Sequence, residues 1–288
     1  MDMKICLITG ANSGIGKSAA ILLAQEGHKV IIGCRNRQRG EQALDEIRQR
    51  CSFANVELMI IDMSSQTSIR QLSDDLHKSI ESLDILIHNA ADFDISRKDP
   101  LFSADHIETV WATNHLGPVL LTQLLLDLLR QGRQSRILTV ASKGLLLFPF
   151  LKIDFEDPEF KNRKFSVTRA YYQSKLAQVM YTYWLSEELK DTRITANCIR
   201  VTNVKLDLSR FPNLSKLMIF LYSIKRKFSI SPDEMAKTYL FLATAQELEG
   251  ISGKYFNEKN QVVDSSEFSK SRENINKLMI LTFKYFHF

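Results

Sequence analysis

The 288-residue chain has no linker-like stretch rich in glycine, proline or serine, no internal repeat and no low-complexity run. One domain is the simpler organisation, and the length allows a single large one. Its four cysteines, Cys6, Cys34, Cys51 and Cys198, make no C-x-x-C pair and no metal-ligand spacing with the six histidines, so reduced thiols and no metal site are expected. Cys6 and Cys198 fall in apolar runs, where a thiol is most often a small core residue. The most apolar late segments, 214–222 and 278–288, fall short of the roughly 20 residues that span a bilayer. Charge is not strongly one-sided either: the net value is +5, and the basic residues are spread out except at 225–227. A nucleic-acid partner is not expected; the small basic cluster reads as solvated surface, with contact to an anionic membrane left open.

What is present is the composition of a soluble globular protein, 44% apolar and 25% charged. Apolar runs of strand length at 4–9, 29–33, 56–61, 84–88, 136–141 and 194–200 alternate with segments of helical period at 15–26, 39–50, 65–81, 104–130 and 166–190. That alternation predicts an α/β fold: one doubly wound parallel sheet of about seven strands with helices on both faces. The first strand starts at Lys4, so the chain is expected to begin at its fold, with no signal peptide. The longest interruption, 144–167, is apolar and then charged. Ligands of such sheets bind beyond the carboxyl ends of the strands, so this loop should border the site.

Residues 9–16, TGANSGIG, follow the first strand and open the first helix. Gly10, Gly14 and Gly16 would let backbone pass close to a pyrophosphate, and the helix N-terminus would hold it with unpaired N–H groups. Far downstream, residues 169–175 read RAYYQSK, placing Tyr171 and Lys175 four apart on one helix face. A free tyrosine has a pKa of about 10. An ammonium at about 4 Å and an effective dielectric near 20 would stabilise its phenolate by roughly 4 kcal/mol, about three pKa units. Tyr172, three residues before Lys175, could also reach it, and spacing alone does not choose between the two tyrosines.

The G-x-x-x-G-x-G spacing, Asn89-Ala90 after the fourth strand, Asn114, Ser142 and the Tyr171/Lys175 pair resemble, in order, the motifs of the short-chain dehydrogenase/reductase family. The resemblance covers roughly residues 4–258, implies a Rossmann-like fold and selects Tyr171 over Tyr172. It implies that Ser142 holds a substrate carbonyl, Tyr171 gives or takes the proton, Lys175 bonds the ribose and tunes Tyr171, and Asn114 supports a water reaching Lys175. Gly10, Asn12, Ser13, Gly14, Ile15, Gly16, Arg35, Asp62, Asn89, Ala90, Lys175 and Thr202 would bind the cofactor, Asp62 beside the adenine. An acidic residue at the end of the second strand would repel a 2′-phosphate. Cys34-Arg35 stands there instead, so NADP(H) is favoured over NAD(H). His88 and His115 match no catalytic position of the family and read as structural.

The runs 169–177, 34–36, 113–117 and 248–256 are similar to the retinol dehydrogenase branch, which implies an NADP(H)-linked carbonyl reductase or alcohol dehydrogenase acting on a lipophilic retinoid, steroid or similar molecule. Leu145 to Leu151 and Leu217 to Tyr222 supply apolar walls for such a substrate. The expected organisation is a catalytic domain over 1–270, with lid segments near 144–167 and 205–230, and an apolar tail of unassigned role over 271–288. The chain departs from the family at Val201-Thr202, where Pro-Gly is usual, and at Ala91, where glycine is usual; each adds a β-carbon beside the cofactor. These departures motivate the alternative, a non-catalytic NADP-binding or scaffolding protein of the same fold. A cytoplasmic location is expected, with peripheral membrane contact and a homo-oligomer left open.

Overall fold

The computed structural model describes residues 2–205, 227 and 229–286. Seven strands form one sheet in the order β3-β2-β1-β4-β5-β6-β7, and every pairing between neighbours is parallel. They are β1 (Ile5–Thr9), β2 (Lys29–Cys34), β3 (Val56–Ile60), β4 (Ile85–His88), β5 (Arg136–Ser142), β6 (Thr195–Val201) and β7 (Tyr255–Phe256). The central strands are continuous apolar runs because both of their faces are covered. Along β1, Leu7 enters one core while Cys6 and Ile8 enter the other; β2 repeats this with Ile31 against Val30 and Ile32.

Helices α1 (Gly14–Gln25), α2 (Arg37–Arg50) and α8 (Pro232–Thr244) cover one face through residues such as Leu23, Ile47 and Met235. On the other lie α3 (Gln66–Ser79), the short α4 (Thr109–Trp111), α5 (Gly117–Leu124), α6 (Leu126–Gln131) and α7 (Val167–Glu188), with Leu72, Val119 and Met180 in the core. Polar N-caps set where several of these start: Asn36, Ser65, Ser166 and Ser231 each accept from a backbone N–H two or three residues into their helix. The four cysteines are buried and free. Among the described residues no helix is long and apolar enough to cross a membrane, and no cluster of metal-ligating side chains occurs.

The helix expected over 104–130 is broken. Phe102 pairs with Glu108 in an antiparallel bridge, His106 takes a left-handed conformation (φ 58°), and α4 starts only at Thr109. Glu108 ends the preceding turn because its carboxylate accepts from the backbone N–H of Val110 and Trp111, both at 3.0 Å. A π-helical turn at Ala112–Leu116 and a break at Leu125 follow. The tail over 271–288 forms α10 (Arg272–Phe283), which follows the short α9 (Glu267–Lys270) and packs on α7, burying Leu278 and Met279. The apolar wall expected at 217–222 and the cluster at 225–227, apart from Lys227, lie outside the described residues, as does most of 205–230.

Candidate active site

A cleft of about 960 Å³ lies across the carboxyl ends of the strands. The strand order reverses between β1 and β4, which opens a crevice there. At its floor the chain leaves β1 through Gly10, held at φ 67°, with its N–H donating to the Gly33 carbonyl at 2.7 Å. A β-carbon on Gly10 would sit 2.7 Å from Ala90 Cα, and one on Gly16 would sit 2.8 Å from the Gly10 carbonyl oxygen, so both positions require glycine. Asn89 braces the turn: its amide donates to the Thr9 and Gly10 carbonyls, both at 3.0 Å, and accepts from the Tyr239 hydroxyl at 3.2 Å. The Ala90 N–H donates to the Thr9 hydroxyl. Asn89 and Ala90 therefore line the cleft while shaping its glycine turn.

The first turn of α1 faces the cleft along Asn12, Ser13, Gly14, Ile15 and Gly16. Its N-cap, Ser13, makes no side-chain capping bond, and no acidic residue occupies that turn. The α1 N-terminus thus presents N–H groups and a positive dipole end to the cleft. Past the end of β2, Arg35 is largely exposed and lies 3.8 Å from the Asp62 carboxylate. Asp62 holds the turn after β3, accepting from the Ser64 N–H and hydroxyl, and it lines the cleft beside Ile61. Arg39 and Asn36 join Arg35 at this end. Sequence reasoning missed Arg39, although its position in the first turn of α2, just after Arg35, is visible in the sequence.

At the opposite end, Ser142 closes β5 and α7 carries Tyr171 and Lys175. The Ser142 hydroxyl accepts from the Gly144 N–H at 3.1 Å and stands close enough to the Tyr171 phenol to act on its pKa. Lys175 is 2% exposed and donates to the Val140 carbonyl at 2.8 Å. Its Nζ lies 5.6 Å from the centre of the Tyr171 ring. Burial lowers the Lys175 pKa to about 8. Burial also pushes the Tyr171 phenol well above its usual value, and the neighbouring Tyr172 adds to that, while Ser142 opposes it. Taking a phenolate out of water is the largest influence on Tyr171, and it acts against the acidification expected from Lys175.

Tyr172 turns away from Lys175, with its ring 4.7 Å from that of Phe148 and its hydroxyl beside Gly144. Asn114 sits in the π-helical turn and ties other elements together. Its Oδ1 accepts from Asp92 N–H at 2.7 Å, and its Nδ2 donates to the Asp92 carbonyl and the Ser174 hydroxyl. Its direct bonds thus reach Asp92 and the neighbour of Lys175 in α7. Thr202 lines the cleft just after β6, as does Ala91 after β4. His88 and His115 are structural: each bonds a threonine hydroxyl at 2.7 Å, Thr122 and Thr282 respectively, and burial lowers both pKa values to about 3.

Two features had no sequence signal. Asp92 is clamped by both terminal nitrogens of Arg97, at 2.8 and 2.9 Å, and by the Thr109 hydroxyl at 2.7 Å. Phe93 follows it, with its ring stacked on Tyr171 at 4.1 Å. Both lie in a loop, where no periodicity announces a side chain's direction.

A glycine floor with no room for β-carbons, an open helix N-terminus and an arginine pair at one end fit a dinucleotide. A hydroxyl pair and an ammonium at the other end fit redox chemistry at a carbon–oxygen bond. The model of the short chain dehydrogenase family matches residues 4–147. Retinol dehydrogenase 13 of Mus musculus is 35% identical over 267 residues, covering 92% of this chain and 78% of that protein. A crystal structure of a protein from Mycobacterium Paratuberculosis is 26% identical with a TM-score of 0.74, over 98% of this chain and 92% of that one. A short chain dehydrogenase from Escherichia coli CFT073, solved in complex with NADPH, shares the fold at 22% identity and a TM-score of 0.66, over 90% of this chain and 98% of that one. The chain belongs to the short-chain dehydrogenase/reductase family of oxidoreductases, whose members bind a nicotinamide cofactor, and within it the chain is retinol dehydrogenase-like.

Proposed function

We propose that the protein is an NADP(H)-dependent oxidoreductase that interconverts a lipophilic alcohol and its aldehyde or ketone, with Tyr171 as the acid and base. The observation that carries this reading is the convergence of the Ser142 and Tyr171 hydroxyls at the end of one cleft whose other end holds the open α1 N-terminus. Arg35 and Arg39 at that far end, with Cys34 in place of a carboxylate, favour a 2′-phosphate. The backbone of Ser13 to Gly16 would hold the pyrophosphate, and Lys175 the nicotinamide ribose. The bound reduced nicotinamide supplies a hydride, and the chain supplies the rest.

Ser142 orients the carbonyl oxygen toward Tyr171 and accepts from Gly144, which keeps its hydroxyl aimed into the cleft. Tyr171, its pKa raised by burial, holds its proton at neutral pH and releases it to the oxygen as negative charge develops there. The Lys175 ammonium sits behind the ring and favours the phenolate that remains. Apolar lining by Phe93, Leu101 and Leu147, together with the exposed Leu146 and Phe150 on the same loop as Leu147, supports a lipophilic substrate. The name of the relative in Mus musculus points the same way.

Calorimetric titration with NADPH and NADH, followed by NADPH-oxidation assays with retinal and other apolar carbonyls, tests the reading. NADPH is expected to bind more tightly. Tyr171→Phe is expected to lower kcat by about 10²–10⁴-fold while leaving the NADPH Kd within about twofold. Full turnover in that variant would exclude Tyr171 as the acid, and binding without any turnover would favour the scaffolding alternative.

A further inference from the structure

We propose that Phe93 determines which shapes of substrate reach Tyr171, admitting flat, slender alcohols and carbonyls and excluding those with bulk on both sides of the reacting carbon. This rests on the cleft being the substrate site proposed above. The Phe93 ring stacks on Tyr171 with centroids 4.1 Å apart and planes 26° from parallel. At that separation the two faces are in van der Waals contact, so no substrate atom passes between them. Tyr172 stands edge-on to Tyr171 at 5.2 Å and is itself packed against Phe148. The phenol is thus walled by rings, and a substrate must approach its hydroxyl through the slot that leads to Ser142.

Phe93 is held in place rather than left as a loose flap. The preceding residue, Asp92, is gripped through its carboxylate by Arg97 and Thr109 and through its backbone by Asn114. Arg97 and Asp92 are only 12% and 19% exposed, so this ion pair is shielded and its bidentate geometry fixes the loop. A residue with no partner in the chemistry is therefore placed by a network of charged hydrogen bonds against the phenol. A wall fixed in this way discriminates by sterics, and its removal should widen the slot rather than unfold the loop, because Phe93 is not in the core.

Binding of two alcohols to the NADPH-saturated protein separates this idea from the catalytic reading, since NADPH with an alcohol cannot turn over. Cinnamyl alcohol is flat and slender, while diphenylmethanol carries a ring on each side of its carbinol carbon. By calorimetry the unaltered protein is expected to bind cinnamyl alcohol at least about tenfold more tightly, Phe93→Ala to reduce the gap to about threefold or less, and Phe93→Trp to keep or widen it. An unchanged ratio across the three proteins, or no binding of either alcohol by the unaltered one, overturns the proposal. A shifted ratio in a protein that turns over no carbonyl leaves Phe93 as the shape-determining residue and removes the oxidoreductase mechanism instead.

Discussion

Lys175 carries its ammonium to a buried position where the Val140 carbonyl accepts its hydrogen bond, and burial brings its pKa down to about 8. Two consequences follow from that value. Catalysis by the proposed mechanism needs the ammonium, so kcat/KM for carbonyl reduction is expected to hold below about pH 8 and to fall as pH rises through it, by roughly tenfold per unit. A rate profile flat from about pH 7 to 9.5 would remove Lys175 from that role. In stability the sign is opposite. The unfolded chain binds this proton more tightly than the folded one between about 8 and the ordinary 10.5, so the cost of the buried charge is relieved as pH rises across that window. At this scale the spacing of Tyr171 and Lys175 was legible in the sequence, but the burial that acts on both groups was not, because a one-dimensional reading supplies charge spacing without solvent exposure. Asp92, Phe93 and Arg97 were illegible for another reason: their roles come from contacts across a loop with no period.

The broken helix shows the same limit for an element. Apolar spacing over 104–130 is consistent with one long helix, yet Glu108 is fully buried and spends its carboxylate on the first amides of α4. Desolvation raises the Glu108 pKa to about 7, partly offset by those two backbone bonds. Glu159 from the loop before α7 accepts from the Glu108 N–H, and Asp92 and Arg97 also act on its charge. The folded pKa lies above the ordinary 4.5, so the folded state binds the extra proton between about 4.5 and 7. This contribution to stability is complete at low pH and is lost as pH rises through about 7. Glu108→Gln is expected to remove that slope, an effect on the order of 3 kcal/mol, read from urea unfolding at pH 5 and pH 7.5. An identical pH dependence in the variant would contradict the assignment. The first six strands, by contrast, were legible to within about a residue or two, because a parallel strand buried on both faces is a largely apolar run, whereas the two-residue β7 was not placed.

Across the whole molecule, the apolar tail left without an assigned role packs into the core in its described part. Leu278 is fully buried, Thr282 bonds His115, and the Tyr285 hydroxyl donates to Glu159 at 2.9 Å. Leu278→Ala is expected to cost about 2–5 kcal/mol in urea unfolding, with the NADPH Kd unchanged, since α10 packs on α7 away from the cleft. A loss below about 0.5 kcal/mol would mean that the helix is dispensable. The sequence by itself determined the parallel sheet, the glycine turn, the order of the motifs and hence the family, because each is written in local periodicity or spacing. Only the tertiary structure decided that Lys175 is buried behind the Tyr171 ring, that Phe93 stacks on the phenol, and that the last described helix packs into the core. Those depend on which groups exclude water from one another, and that is known only once distant segments have met.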